Sequence, residues 1–349
     1  MIIDRIGFDG EAVVVLGAGA TRGAEFVKAS KGAEPPLDRD FFTQAQRLST
    51  AKPRQLVSRL IEDVVATFGN NFALTMEGYL TRLEQLAHVI DDYKFRGRPP
   101  RNQFVRMRAH FLQVLAALMD EAIGREPKCA FHTRLVDRLS SSDTILSLNY
   151  DWLIDLILKR HGRSKWNPKI GYGVAVYSNG PRGAGTKYWA CANDAGKPDF
   201  PTHSVSLLKL HGSLNWFPVP LDQNPPKLAL RTRWWHQNGN LTFEIAPPEW
   251  NKPTRSGIYV PVWRQARAAL RTAKAIVFIG YSLPETDLPI QALLTVERSP
   301  TALALLVVVN PDQVSRRRIR DTLRKRINNQ TRVLSFERFE HFYEFLAEL

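Results

Sequence analysis

Five short, predominantly apolar runs recur along the chain, and each is followed at once by glycine or by polar residues. The runs are Val13 to Leu16 (VVVL), Thr144 to Leu148 (TILSL), Ser204 to Leu210 (SVSLLKL), Ala275 to Ile279 (AIVFI) and Leu303 to Val309 (LALLVVV). Runs of this kind are typical of strands that are covered on both faces of a parallel sheet. A further run near the end of the sequence, RVLSF, predicts a short edge strand.

Between the first two runs, residues 54–124 follow a helical pattern. In the last segment of this region, apolar side chains recur three and four positions apart, which places them on one buried helix face. They are Phe104, Met107, Phe111, Val114, Leu115 and Leu118. Two irregular stretches follow at 163–203 and 216–255, and the tail combines a basic helix with RVLSF and a closing helix.

A glycine-rich turn, GAGATRG, follows the first apolar run and contains Gly17 and Gly19. Glycine lets the backbone approach its neighbours more closely than a side chain allows. A helix that begins just after this turn would direct its free N–H groups and its dipole at a pyrophosphate. The spacing is one residue longer than the dinucleotide-binding fingerprint, so an ordinary strand-to-helix turn is the alternative.

The other apolar runs end in side chains that suit ligand binding. Asn149 and Asp151 follow the second run, His211 the third, Gly280 and Ser282 the fourth, and Asn310 the last. Because the carboxyl ends of parallel strands meet at one edge, where open α/β sheets bind ligands, we expect these residues to gather there. Two structural alternatives stay open: Asp151 as a helix cap, and His211 as a strand-end histidine satisfied by the backbone.

Strands that alternate with helices predict an α/β fold, a Rossmann-like parallel sheet with helices on both faces, together with an inserted helical subdomain. We expect one domain over 1–349. Its nucleotide-binding core comprises 1–42 and 143–312 with the two irregular insertions. Residues 43–142 form the helical insertion, and 313–349 form the basic C-terminal part.

Composition narrows the class of protein. The 349 residues are 44% apolar and 23% charged, which is typical of a globular protein, and the formal net charge of +14 favours anionic partners such as nucleotides, nucleic acid or an acidic protein surface. Two cysteines, Cys129 and Cys191, cannot build a disulfide framework or a four-cysteine zinc site. We expect a cytoplasmic protein without a membrane segment, since no run approaches the roughly 18 apolar residues that span a bilayer.

The predicted helix of the C-terminal tail and the residues just after it are rich in arginine and lysine. They are Arg316, Arg317, Arg318, Arg320, Arg324, Lys325 and Arg326. Such a run is able to bind nucleic-acid phosphates, and a solvated helix face is the commoner alternative.

Six motifs in order, GAGAT, PPLDRDF, LNYD, KLHGS, IGYSLPETD and VVVNPD, resemble the SIR2 family, and in particular the bacterial SIR2-like proteins of anti-phage defence. The motifs leave the helical insertion and both irregular stretches outside the shared pattern. The resemblance implies a single SIR2-like domain with an NAD+ site. In the family the glycine motif holds the pyrophosphate and adenosine side, which matches Gly17, Ala18, Gly19 and Thr21.

Two further motifs match the family's site, and the first of them lies beside the nicotinamide in the family. The proline and D-F segment matches Pro36 to Phe41, with either Asp38 or Asp40 as its acid. The N-x-D motif matches Asn149 and Asp151.

The family's catalytic histidine matches His211, and its G-x-S motif, which reaches a ribose or phosphate, matches Gly280 and Ser282. Asn310 matches the asparagine at the adenosine ribose. An imidazole suits a general base because its ordinary pKa of about 6.5 lies near working pH. We therefore predict that His211 is the base and that Asn149 orients the water and the ribose.

The resemblance implies an NAD+ glycohydrolase. Sirtuin deacylases carry a four-cysteine zinc ribbon that this chain cannot build, whereas SIR2-like defence effectors lack the ribbon and hydrolyse NAD+ to nicotinamide and ADP-ribose. The resemblance implies that depletion of NAD+ in an infected cell causes abortive infection. It implies no metal ion. Such an activity must be inhibited in healthy cells. The resemblance implies that homo-oligomerisation, or a partner such as a HerA-like ATPase or a short Argonaute, inhibits it.

Other functions fit the same residues. The chain could sense NAD+ or ADP-ribose, or bind nucleic acid, without turnover. A nuclease needs a compact carboxylate cluster, which the sequence does not offer. Cyclisation or ADP-ribosyl transfer stays open, because the same ribose cation accepts other nucleophiles.

Overall fold

A computed structural model describes residues 11–28, 32–70, 73–91, 101–124, 127–162, 164–176, 204–217, 227–230, 243–246, 257–295 and 302–348. Its strands are β1 (Ala12–Leu16), β2 (Thr144–Ser147), β3 (Ala175–Val176), β4 (Ser206–Lys209), β5 (Gly212–Ser213), β6 (Trp216–Phe217), β7 (Lys227–Leu230), β8 (Glu244–Ile245), β9 (Ala275–Ile279), β10 (Leu305–Val309) and β11 (Arg332–Phe336). Its helices are α1 (Ala18–Arg22), α2 (Glu25–Lys28), α3 (Phe41–Gln46), α4 (Ala51–Phe68), α5 (Met76–Asp91), α6 (Arg101–Ile123), α7 (Ala130–Arg138), α8 (Leu153–His161), α9 (Tyr259–Thr272), α10 (Leu288–Thr295), α11 (Gln313–Thr322) and α12 (Phe339–Glu348).

Six of these strands form one parallel sheet in the order β11-β10-β9-β1-β2-β4. Val14, at the centre of β1, pairs with Ile145 on one side and with Val277 on the other. If only these six strands are numbered 1 to 6 along the chain, then β1, β2, β4, β9, β10 and β11 are strands 1 to 6. From the β4 edge the sheet then has the order 3-2-1-4-5-6. This is the Rossmann order, and its topological switch point lies between the first strand and the fourth, here β1 and β9.

The predicted strands are confirmed. All five apolar runs are strands of this sheet, and RVLSF is its edge strand β11. Every residue of β1, β2 and β10 is buried, as expected for strands that are covered on both faces. β10 begins two residues later than its apolar run, because the N–H of Leu303 donates to the carbonyl of Arg326 rather than to a neighbouring strand.

Helices flank the sheet, so the chain has the predicted Rossmann-like α/β architecture. α7, α8 and α12 pack together, and α9 packs against β2 and β4. α10 and α11 also pack against each other.

Helices α4 and α5 both pack against α6, and α3 packs against α4 and α6. The six periodic side chains of α6 are all buried, so this face is core as predicted. The ring of Phe111 lies 4.5 Å from that of Phe41 in α3 and 5.5 Å from that of Tyr79 in α5. That residues 43–142 form a separate inserted subdomain stays a prediction.

The two irregular stretches are described only in part. Residues 164–176 end in β3, and 177–203 lie outside the described residues. Of 216–255, the structure describes β6, β7, β8 and the residues beside β8. These short strands form two small sheets, β3-β7-β6 and β5-β8, and β5 starts directly after His211.

Candidate functional site at the carboxyl edge of the sheet

Three glycines meet at the switch point between β1 and β9. The N–H of Gly17 donates to the carbonyl of Ile279 (3.0 Å). The N–H of Gly19 donates to the carbonyl of Gly280 (2.9 Å). A Cβ on Gly280, where φ is +64°, would lie only 2.0 Å from the backbone nitrogen of Ala20, and a Cβ on Gly19 would lie 2.8 Å from the Cα of Gly280. The glycines are therefore required for the close packing of α1 on the end of β9.

The same bonds occupy part of the predicted pyrophosphate cradle. α1 has five residues, and the N–H groups of Gly17, Gly19 and Ala20 already donate to backbone carbonyls. The strand-to-helix turn that the sequence offered as an alternative thus accounts for the glycines. A role of Gly17, Ala18 and Gly19 in holding a dinucleotide stays a prediction.

Thr21 connects this turn to the end of β2. Its Oγ1 donates to Oδ2 of Asp151 (2.7 Å) and accepts from Nδ2 of Asn149 (3.2 Å). All three side chains are buried. Oδ1 of Asn149 is buried too and has no hydrogen-bond partner among the described residues. Because a buried acceptor without a donor is unfavourable, this oxygen is the atom of the cluster that a ligand would satisfy.

Asp151 also has the structural role that the sequence offered as an alternative. Its Oδ1 accepts from the backbone N–H of Leu153, the first residue of α8 (2.9 Å). Burial raises the pKa of the Asp151 carboxyl, and the ammonium of Lys209 and the hydroxyl of Thr21 offset only part of that rise. Asp151 is therefore both a helix cap and a member of the buried cluster.

A buried lysine, which the sequence analysis did not select, supports this turn. Lys209 ends β4 with its side chain fully buried, and its Nζ donates to the backbone carbonyl of Asp151 and to Oδ2 of Asp155 (3.0 Å). The hydroxyl of Tyr172 donates to the other oxygen of Asp155 (2.6 Å). The signal in the sequence is a cation within an apolar strand, because fully buried charges occur almost only with partners.

The turn that carries His211 contacts the turn that carries Asn149. The backbone carbonyl of Tyr150 accepts from the N–H of Leu214 (2.9 Å) and from the hydroxyl of Ser213 (3.1 Å). The side chain of His211 is buried. These bonds bring the ends of β2 and β4 together, so the two predicted catalytic residues lie at the same edge of the sheet.

His211 faces an acid that the sequence analysis did not select. Its Nε2 lies 3.7 Å from Oδ1 of Asp287, whose Oδ2 accepts the hydroxyl of Tyr281 (2.7 Å). Burial, and next the Asp287 carboxylate, raise the pKa of Tyr281 well above its ordinary value, so its hydroxyl stays a donor. Asp287 ends the motif IGYSLPETD, from which the sequence analysis selected only Gly280 and Ser282.

Asn310 joins the ends of β9 and β10. Its Nδ2 donates to the carbonyl of Tyr281 (3.0 Å), and its Oδ1 accepts from the N–H of Asp312 (2.9 Å). Both ends of the amide are thus used within the protein. Ser282 is exposed on the loop that follows β9. For both residues, contact with a ribose or phosphate stays a prediction.

The two candidate acids of PPLDRDF have separate structural partners. Asp38 is exposed, and its Oδ1 accepts from the N–H of Glu77 near the start of α5 (2.8 Å). Asp40 forms an ion pair with Arg22 of α1 (2.9 Å), and Arg22 also pairs with Glu34. The segment is thereby attached to α1, and the choice between the two acids stays open.

The basic tail is divided between internal and exposed side chains. Arg316 donates to the carbonyl of Asn310 (2.5 Å), and Arg318 donates to that of Leu283 (3.0 Å). Arg326 is buried against the end of α9. The exposed members are Arg317, Arg320, Arg324 and Lys325. Arg316 and Arg318 therefore hold loops of the carboxyl edge. That the exposed basic residues contact nucleic acid stays a prediction.

Among the described residues, no helix has both the length and the apolar character that crossing a membrane requires. In the same part of the chain, no group of three or more His, Cys, Asp and Glu side chains is arranged to hold a metal ion. A cavity of about 810 Å³ beside α7, α8 and α12 is lined by Cys129, Arg134, Arg160 and Tyr343, among others. None of the predicted site residues lines this cavity.

No protein-family model matches the chain, and no curated protein matches it. The geometry of the carboxyl edge is therefore what supports a function.

Proposed function

We propose that the chain is an NAD+ glycohydrolase of the SIR2-like type, which cleaves NAD+ to nicotinamide and ADP-ribose. The observation that carries the proposal is Oδ1 of Asn149, a buried acceptor that lacks a partner among the described residues and lies beside Thr21 and Asp151. This cluster adjoins the switch point of a sheet with the Rossmann order, where such sheets bind dinucleotides. The neighbouring His211 supplies a group that accepts a proton near neutral pH.

Hydrolysis breaks the bond between C1′ of the ribose and the ring nitrogen of nicotinamide. The bond electrons leave with nicotinamide, and the oxocarbenium-like ribose gains the oxygen of a water molecule. In this proposal His211 accepts the proton that the water loses, while Oδ1 of Asn149 accepts a hydrogen bond from the water or from a ribose hydroxyl. Positioned proton transfer of this kind contributes about 100- to 10,000-fold.

The other predicted residues complete the proposed NAD+ site. Gly17, Ala18, Gly19 and Thr21 would lie along the pyrophosphate, and Asp38 or Asp40 on the nicotinamide side. Asp151 would hold the cluster around Asn149. Gly280 and Ser282 would reach a ribose or phosphate, and Asn310 would lie at the adenosine ribose. The meeting of these strand ends at one edge supports the assignment.

In the cell, we propose that the activity depletes NAD+ in the cytoplasm upon phage infection. Homo-oligomerisation, or a partner such as a HerA-like ATPase or a short Argonaute, would restrain it in healthy cells. The net charge of +14 supports an acidic partner surface or a nucleic acid.

The test is incubation of the purified chain with NAD+, alone and with the proteins of neighbouring genes, followed by chromatography. Nicotinamide and ADP-ribose are expected in equal amounts. His211→Ala and Asn149→Ala should each lower the rate about 100-fold or more. His341→Ala removes an exposed histidine of α12 and should leave the rate unchanged.

Circular dichroism and thermal unfolding establish that each variant is folded. Full activity of folded His211→Ala would exclude the proposed base. NAD+ binding in calorimetry without products would indicate a sensing module instead. A cyclic product or a modified acceptor would indicate cyclisation or ADP-ribosyl transfer.

A further inference from the structure

The loop between β9 and α10 places one buried carboxylate, which the proposed reaction does not use, beside the proposed base. Asp287 ends this loop and is 2% exposed. Its Oδ2 accepts the hydroxyl of Tyr281 (2.7 Å), and its Oδ1 lies 3.7 Å from Nε2 of His211. A buried carboxylate is unfavourable unless hydrogen bonds and an opposite charge compensate it. The imidazole of His211 would supply that charge when it gains a proton.

The loop is held from several sides, so the position of this carboxylate is well defined. Thr286 donates to Oε2 of Glu77 (2.6 Å), and Arg318 donates to the carbonyl of Leu283 (3.0 Å). Leu283 itself has a φ of +49°, a conformation that is rare for a residue with a side chain, and it is fully buried. Asn310 holds the carbonyl of Tyr281.

Two other groups of the described residues lie close to His211 in space or in sequence. The ring of Tyr150 has its centroid 6.3 Å from that of His211, and its hydroxyl donates to the carbonyl of Ala246 (3.0 Å). Lys209 lies two residues before His211, but its ammonium binds the carbonyl of Asp151 and the carboxylate of Asp155. The structure places the carboxylate of Asp287 within ion-pair distance of the His211 imidazole.

We propose that Asp287 is a positioning residue for His211: its carboxylate favours the tautomer with the proton on Nε2 and stabilises the ring when it gains a second proton. The hydroxyl of Tyr281 fixes the carboxylate in turn. The 3.7 Å between Nε2 and Oδ1 of Asp287 is an ion-pair distance rather than a hydrogen bond. With the proton on Nε2, Nδ1 is the nitrogen that accepts a second proton. The inference rests on the proposed function, in which His211 accepts the proton of water.

Asp287→Asn tests this, because the amide keeps the shape and still accepts the Tyr281 hydroxyl but carries no charge. The readout is the nitrogen-15 spectrum of the histidine rings as a function of pH, with His211 assigned by its loss in His211→Gln. An opposite charge within about 4–6 Å shifts a titration by about 1–3 pH units, so the midpoint of His211 should fall by about one unit or more. Tyr281→Phe keeps the charge of Asp287 but removes the hydroxyl that holds it, so the midpoint should change by less than in Asp287→Asn.

Glu285→Gln is the matched control. Glu285 lies two residues from Asp287 in the same loop, but its side chain is 86% exposed and lies 3.6 Å from Arg318. Its loss should leave the His211 titration unchanged. An unchanged tautomer and midpoint in folded Asp287→Asn would overturn the proposal. Should Asp287→Asn not fold, Tyr281→Phe decides by the same criterion.

Activity gives a second readout. In Asp287→Asn, kcat for NAD+ should fall about tenfold or more with KM little changed, and the acidic limb of the pH profile should move by the same amount as the titration. The ring spectra need no turnover. A wild-type chain that does not cleave NAD+ would thus contradict the proposed function, while the titration would still decide the role of Asp287.

Discussion

The hydroxyl of Thr21 donates to Oδ2 of Asp151 across 2.7 Å, although 130 residues separate the two in the sequence. The same hydroxyl accepts from Nδ2 of Asn149. One oxygen atom therefore connects the helix that follows β1 with the turn that follows β2. Both partners are buried, so Oδ2 of Asp151 and Nδ2 of Asn149 would each lose a buried hydrogen bond without this hydroxyl.

Removal of the Thr21 hydroxyl should lower the stability of the folded protein. Thr21→Val keeps the shape of the side chain but leaves two buried polar groups without their partner, and we expect the free energy of unfolding to fall by about 2 kcal/mol or more. Thr21→Ser keeps the hydroxyl and should lose about 1 kcal/mol or less. Urea unfolding of the two variants checks this, and equal stabilities would contradict it.

Gly280 has no room for a side chain. Gly280→Ala adds a Cβ 2.0 Å from the backbone nitrogen of Ala20 at a φ of +64°, so strain and overlap should together cost about 3 kcal/mol or more. Gly124→Ala is the control, since φ there is +72° but no described atom lies within 4 Å of the added Cβ. It should cost about 1 kcal/mol. Similar unfolding midpoints for both variants would mean that the close packing is not required.

Breaking the buried ion pair of Lys209 and Asp155 should strongly destabilise the protein. Lys209→Met leaves the Asp155 carboxylate buried without its counter-charge, and we expect a loss of about 3–5 kcal/mol. Lys274→Met breaks an exposed pair with Glu11 and should cost about 1 kcal/mol or less. Chemical denaturation measures both. A double variant, Lys209→Met with Asp155→Leu, should recover part of the loss, because no unpaired charge is left.

His132 should make stability depend on pH. Complete burial lowers its pKa to about 3 from the ordinary value of 6.5. Between these two values the unfolded chain binds a proton that the folded chain does not. The free energy of unfolding should therefore fall by about 1.4 kcal/mol per pH unit from this group as pH decreases below 6.5, and be unaffected by it above.

The measurement is urea unfolding of the wild type and of His132→Gln at a series of pH values from 7 to 5. The variant should lack this part of the slope, whereas His341→Gln, at an exposed position of α12, should keep it. Identical slopes in all three proteins would show that His132 is not the group responsible.

The six strands of the large sheet and the helical face of α6 could be predicted from the sequence, because burial on both faces of a parallel strand, or on one face of a helix, leaves a pattern within a few residues. β1, β9 and β10 are recognisable in this way. The ends of these strands could be placed at one edge for the same reason, since all strands of a parallel sheet point in one direction.

Lys209 and Asp287 could not be selected in this way. Lys209 is one charge in an apolar strand, and its partner Asp155 lies in a helix 54 residues earlier. Asp287 lies at the end of a loop, and its contact with His211 depends on how that loop crosses the sheet. The glycines of the first turn were recognised, but their close contact with Gly280 was not, because it joins residues more than 250 positions apart.

From the sequence one can predict the strands of the large sheet, the helical face of α6 and the polar residues at strand ends, because these properties depend on neighbours within a few residues. The short strands β3, β6, β7 and β8 could not be predicted, since they lie in the two stretches without a clear pattern. Only the tertiary structure decided the strand order, the contact of Gly17 and Gly19 with Gly280, and the pairing of His211 with Asp287. These contacts join segments that are far apart in the chain. They depend on how those segments pack against one another, and the local sequence pattern around each residue does not specify that packing.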